Sequence, residues 1–217
     1  KVRGILASGR KVSQASTGDE IELVLAETPF YAEAGGQAAD TGLITGDGFV
    51  VEVLDVQRPI KGLSVHKAIV REGEIGADSL VQAAVDRERR HAAEQAHTGT
   101  HIVHAALHQI LGPEALQRGS FNKAGYLRFD FAWGEGLSAA TRSEIEEVSN
   151  IAIRNNYRVE TRIMGLAEAK ALGAMALFGE NYGNEVRVVE IDGAWSRELC
   201  GGTHVENTSL IGSLSLL

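Results

Sequence analysis

At 217 residues with one cysteine, the chain is too long for a disulfide-stapled mini-protein and suits one large domain or two small ones, since domains commonly run ~100–150 residues. Its 44% hydrophobic and 23% charged residues exclude disorder and fibrous repeats, and no run approaches the ~18 apolar residues of a membrane span. The net charge of −8, from 21 basic against 29 acidic side chains, is the wrong sign for binding nucleic acid by bulk attraction, so an RNA partner requires a local basic groove.

Residues 1–85 carry short period-two runs, Ile21–Leu25, Phe49–Leu54 and Val65–Val70, each bounded by Gly, Asp or Ser. They predict a small β-barrel or sandwich. Between the first two runs lies Thr28-Pro-Phe-Tyr-Ala-Glu-Ala-Gly35-Gly36-Gln37-Ala-Ala-Asp40-Thr-Gly42, a loop whose glycine pair no core-packing argument requires. From Asp86 the texture becomes helical to Leu111, with Gly99 the weak point inside it and Gly112-Pro113 the stop. An alternating strand, Tyr126–Phe131, precedes a second helix over Ser138–Asn156, with a capping-box pattern at Thr141-x-x-Glu144. Strands follow near Arg158–Met164, Glu185–Ile191 and Leu210–Leu217, with a short helix around Leu166–Leu172. The fold class is therefore α+β, an N-terminal small β-barrel (1–85) packed on a C-terminal α/β sandwich (86–217). The apolar run Ser213-Leu-Ser-Leu-Leu217 lacks a polar tail and reads as the cut end of a longer polypeptide. The lone cysteine points to a reducing compartment and Lys1 opens no signal-peptide pattern, so the chain reads as soluble and cytoplasmic, with no membrane partner.

His97, His101, His104 and His108 fall at spacings of four, three and four, forming one stripe on a helix face. The plain reading of such a stripe is a partly buried polar face packed on a sheet. Two features favour a metal site instead. His97 and His101 lie one turn apart, as chelation requires, and the only cysteine lies in Cys200-Gly-Gly-Thr-His204, a second donor pair in a glycine-rich turn. Imidazole and thiolate are donors that zinc prefers, and two such pairs make a tetrahedral set. Thr98 stands where a zinc protease has glutamate, which disfavours peptide hydrolysis by that route. On spacing alone, His104 and His108 serve as well as His97 and His101.

Thr28-Pro-Phe-Tyr, Gly35-Gly-Gln-x-x-Asp40-x-Gly42, His97-x3-His101 and Cys200-Gly-Gly-Thr-His204, with Arg128-Phe-Asp-Phe131 and Gly173-Ala-Met-Ala-Leu-Phe-Gly179-Glu180 between them, together resemble the editing-domain family of alanyl-tRNA synthetases and their free-standing relatives. The resemblance covers nearly the whole chain. It implies hydrolysis of the ester joining serine or glycine to alanine-specific tRNA, with Zn2+ held by His97, His101, Cys200 and His204. It further implies Gln117 and Thr28 at the reaction centre and Thr28, Gly35, Gly36, Gln37 and Arg128 against the substrate, Thr28 meeting the serine hydroxyl. Without the resemblance, Thr28 reads as a turn residue and Gln117 as a surface side chain. The partners implied are mischarged alanine-specific tRNA and the remaining domains of the parent synthetase.

Such an activity has a physical rationale: one methyl group is worth only ~1–3 kcal/mol, so a pocket for alanine excludes glycine poorly. A second site that hydrogen-bonds a serine hydroxyl rejects alanine, which would leave buried polar groups unpaired. Four ligands on zinc leave no open position for water, so zinc is expected to orient or polarise the substrate while a site-held water attacks. Basic residues occur only in small groups, Arg87/Arg89/Arg90, Arg118/Lys123/Arg128 and Arg154/Arg158/Arg162, so RNA binding by this chain alone is expected to be weak. No P-loop or Rossmann glycine pattern appears, so ATP use is not expected. The competing readings are a free-standing deacylase of the same chemistry and a non-catalytic, zinc-stabilised RNA-binding module.

Overall fold

Alternating burial builds the first half of the chain. In Glu20–Leu25 the side chains of Ile21, Leu23 and Leu25 are buried while their neighbours are not, the period of a strand with one face on a core. The computed structural model describes residues 1–176 and 182–217, in two units: Lys1–Ala34 with Ala38–Arg90, and Gly35–Gln37 with His91–Leu217.

The first unit contains β1 (Val2–Ala7), β2 (Arg10–Val12), β3 (Gln14–Ser16), β4 (Glu20–Leu25), β5 (Gly42–Gly46), β6 (Phe49–Ile60), β7 (Leu63–Glu72), β8 (Glu74–Gly76) and β9 (Gln82–Val85). Seven of them form an antiparallel sheet in the order β2-β1-β4-β7-β6-β5-β9, and β3 pairs with β8. Ile5, Leu23, Ile44, Val51, Val53, Val70 and Ile75 are fully buried in one core. The barrel expected for residues 1–85 is not closed. β2 and β9 lie at opposite ends of the strand order with no pairing between them among the described residues. Both are short, and β2 carries exposed Arg10 and Lys11, which discourages further pairing at that edge.

The second unit holds most of α1 (Arg87–Leu111), then β10 (Gln117–Lys123), β11 (Tyr126–Phe131), α2 (Ala139–Arg154), β12 (Val159–Gly165), α3 (Leu166–Ala171), β13 (Glu185–Ile191) and β14 (Ser196–Leu199). β10 and β11 form a hairpin, and β12-β13-β14 form a three-stranded antiparallel sheet. α1 runs unbroken through Gly99. One apolar cluster joins Val103, Ala106 and Leu107 of α1 to Ile145 of α2, and another joins Ile102 to Ala152, Ile153 and Ile191. The N-cap of α2 is Ser138, whose hydroxyl accepts from the Thr141 amide at 3.0 Å, so Thr141 is the third helical residue and not the cap.

The strand expected at Leu210–Leu217 is absent. Thr208–Ile211 is a short 3-10 helix, and the backbone after it bonds to side chains: Asn150 holds both the amide and the carbonyl of Leu214, and Glu146 accepts from the Leu216 amide at 2.7 Å. β10 and β14 escape sequence reading because their burial does not alternate cleanly. Of the Gly173–Glu180 motif, residues 177–180 lie outside the described residues; Ala174 is buried, and Met175 bridges to Glu198. No helix among the described residues is long and apolar enough to cross a membrane.

Candidate metal centre

The helical stripe delivers His97, His101 and His104 to the interior of the second unit, each nearly inaccessible to solvent. Cys200 follows β14 directly. Its turn is pinned by Arg187 of β13, whose guanidinium donates to the Cys200 and Gly202 carbonyls at 2.9 and 2.7 Å. His97, His101, Cys200 and His204 come together there, one donor atom from each lying within 4.8 Å of the others. The Cys200 sulfur is 3.4 Å from Nε2 of both His97 and His204. His104 and His108 lie outside this set. They stack edge-on at 4.4 Å, and His104 donates from Nδ1 to Glu198 at 3.0 Å.

Each of the three clustered imidazoles has a polar residue beside its outer nitrogen, within hydrogen-bonding distance for His97 and His204. Nδ1 of His97 donates to Gln37 Oε1 at 2.7 Å, Nδ1 of His204 is hydrogen-bonded with the Thr98 hydroxyl at 3.1 Å, and Nδ1 of His101 faces Glu198 Oε1 at 3.6 Å. Such contacts fix ring tautomer and direction, leaving Nε2 for a metal. The Gln37 amide is completely buried. Its oxygen also accepts from the Thr203 amide at 2.9 Å, and its NH2 group donates to the Thr203 hydroxyl at 2.8 Å. A Cβ on Gly202 would overlap the His97 ring, so only glycine lets the turn approach the helix this closely.

Burial resists ionisation of the Cys200 thiol, yet hydrogen bonds and charge from His101, with His204 and His97, hold it well below its ordinary value. Burial also works against a charge on His101, but Glu198 and Cys200 outweigh it and raise that pKa to about 9. His204 is driven down to about 3, by burial first and by repulsion from His101, against the pull of Cys200. Burial opposes the Glu198 carboxylate, and His101 and His104 more than compensate, so its pKa falls. One thiolate and three imidazoles match a borderline-soft divalent ion such as zinc. The His101 Nδ1 is buried without a hydrogen bond, its nearest acidic group being Glu198 at 3.6 Å.

The other expected site residues fall as follows. Gly35 and Gly36 have φ of 56° and 78°; Gly36 donates no side chain against β10, where a Cβ would lie 2.6 Å from the Ser120 carbonyl, and its own carbonyl accepts from Asn122 at 2.7 Å. Gln117 is half-buried at the start of β10, opposite Phe131. Arg128 is exposed and paired with Asp130 at 3.1 Å. Thr28 belongs to the first unit. There its hydroxyl is 2.7 Å from Nε2 of buried His66, whose Nδ1 bonds the Leu23 carbonyl at 3.0 Å. A carbonyl only accepts, so the hydrogen sits on Nδ1 and Thr28 donates to Nε2. Burial lowers the His66 pKa. Several grouped basic residues already have acidic partners: Arg90 with Asp40, Arg154 with Glu147, and Arg162 with Glu190. Sequence reading missed Glu198, Thr98 and Arg187. The first two are polar residues within two positions of a metal donor, which is the one signal that marks them.

Comparison with known proteins matches residues 1–89 to the family described as tRNA synthetases class II (A), and residues 186–217 to the Threonyl and Alanyl tRNA synthetase second additional domain. All 217 residues align at 94% identity with alanine–tRNA ligase of Arthrobacter sp. (strain FB24) and at 91% with that of Paenarthrobacter aurescens (strain TC1). The same enzyme of Kocuria rhizophila is 62% identical over the whole chain. The chain belongs to the alanine–tRNA ligase family. It spans 24% of the length of each of these ligases, so it corresponds to one segment of a larger enzyme of that family.

Proposed function

We propose that this segment of an alanine–tRNA ligase is its editing module, which hydrolyses the aminoacyl ester of Ser-tRNA(Ala) and Gly-tRNA(Ala), and that His97, His101, Cys200 and His204 hold one Zn2+ for it. The observation that carries the reading is the convergence of one thiol and three imidazoles, each ring backed by a polar residue on its outer nitrogen. When bound, zinc would supply charge to orient and polarise the aminoacyl group. Gln37, Thr98 and Glu198 keep the three rings aimed inward, and Gly202 lets the cysteine turn close on His97. Gln117 acts at the ester, while Gly35, Gly36 and Arg128 border the substrate. Thr28, its own hydrogen given to His66, offers an oxygen lone pair to a serine hydroxyl, a partner that alanine lacks. The substrate tRNA and the rest of the ligase are the partners of this module, and its place is the cytoplasm.

The second reading, a zinc-stabilised RNA-binding module without catalysis, is favoured by the complete four-donor set, which leaves no coordination position open. Deacylation of Ser-tRNA(Ala) and Ala-tRNA(Ala) by the purified chain, with zinc measured on the same sample, separates the two. Cleavage of the serine ester, sparing of the alanine ester and one zinc per chain are expected. Zinc at one per chain with neither ester cleaved, even after the other ligase segments are added, would establish the structural module.

A further inference from the structure

The three-stranded sheet β12-β13-β14 buries two carboxylates with different surroundings. Glu190, 2% exposed, is paired with the guanidinium groups of Arg162 and Arg197. Glu198, 3% exposed, has no Lys or Arg partner among the described residues; its ion-pair contacts are Nδ1 of His104 at 3.0 Å and Nδ1 of His101 at 3.6 Å. A buried carboxylate needs a positive charge close by to offset its desolvation, and once His101 serves as a neutral metal ligand that charge has to come from the ion. A divalent ion bound by one thiolate and three neutral imidazoles retains one positive charge, and a single carboxylate cancels it. A monovalent ion in the same donors is already neutral, and the carboxylate would then leave the buried site with an excess negative charge.

We propose that Glu198 is the charge-balancing and positioning residue of the metal centre: through His101 it orients one ligand, and by its charge it sets the site for a divalent ion against a monovalent one such as Cu(I). The proposal rests on the zinc-binding part of the reading above and not on ester hydrolysis, so a failure of the editing assay leaves it standing. His104 holds the same carboxylate oxygen. Its Nδ1 donates to Glu198 Oε1 at 3.0 Å, and its ring lies 5.0 Å from that of Phe129.

The test is metal competition on the full 217-residue chain, with Zn(II) and, under anaerobic conditions, Cu(I) dissociation constants measured against chelators for the parent, Glu198→Gln and Glu198→Asp. Glu198→Gln keeps the shape and removes the charge. It is expected to weaken Zn(II) about 10–100-fold, as loss of an outer-shell partner does, while Cu(I) binding holds or strengthens. Glu198→Asp keeps the charge and withdraws it from His101, so the Zn(II)-over-Cu(I) preference should persist while the Co(II) absorption spectrum shifts. Equal weakening of both metals in Glu198→Gln would reduce Glu198 to a structural residue and overturn the proposal; so would unchanged Zn(II) affinity with an unchanged Co(II) spectrum. If Glu198→Gln does not fold, the aspartate variant decides: a lost Zn(II) preference despite retained charge overturns the charge-balancing role.

Discussion

Replacing Gln37 by Met keeps the volume of a fully buried side chain and removes its hydrogen-bonding amide. Two donors then lose their acceptor, Nδ1–H of His97 at 2.7 Å and the Thr203 amide at 2.9 Å. Each buried donor left unsatisfied costs about 1–3 kcal/mol, so the zinc-loaded second unit should lose about 2–6 kcal/mol. The His97 ring also loses its fixed tautomer, and zinc affinity should fall about 10–100-fold. Both tryptophans, Trp133 and Trp195, belong to the second unit, so their fluorescence during urea unfolding follows it specifically. Zinc competition with a chromogenic chelator gives the affinity. A Gln37→Met protein that unfolds at the parent midpoint and holds zinc within twofold of the parent would refute this reasoning. If Gln37 instead acted only on substrate, the variant would raise KM for Ser-tRNA(Ala) and leave zinc binding unmoved.

Gly202→Ala forces a Cβ into the His97 ring and within 2.9 Å of Gln37 Oε1; overpacking of about 1–3 kcal/mol should appear as a ~5- to 150-fold loss of zinc affinity in the same competition assay. Cys200→Ala should abolish the sulfur-to-metal charge-transfer band of the Co(II)-loaded chain and lower Ser-tRNA(Ala) deacylation; a surviving band would remove Cys200 from the site. His66 titrates near 6.5 in the unfolded chain and lower in the folded one, so below about pH 6.5 the unfolded state binds more protons and the first unit loses stability as pH falls. Melting temperature from pH 8 to 5 should therefore drop more steeply in the parent than in His66→Gln, and parallel profiles would contradict the assignment.

Local pattern alone determined much of this chain. Alternation in Ile21–Leu25, Phe49–Leu54 and Val65–Val70 marked strands, because a sheet with one buried face requires apolar residues at every second position. The four-three-four histidine spacing marked one face of α1, because a helix repeats every 3.6 residues. What period-two pattern could not reveal was that the first sheet stays open, since closure depends on which edge strands meet. Nor could it exclude a strand at Leu210–Leu217, where Asn150 and Glu146, more than 60 positions away, take the backbone groups a ladder would need.

The metal donors divide the same way. Their types and spacings are written in the sequence, but helical periodicity gives His104 and His108 the same claim as His97 and His101. Tertiary structure separates them by what stands beside each ring: Cys200 and His204 beside one pair, Glu198 and Phe129 beside His104. Gln37 shows the limit most clearly. The family resemblance implies that it contacts a substrate, and no local pattern shows that its amide also lies against His97 and Thr203, 60 and 166 residues away. Sequence determines which groups a segment offers; which of them meet is set by the burial of distant apolar faces, a quantity no local window contains.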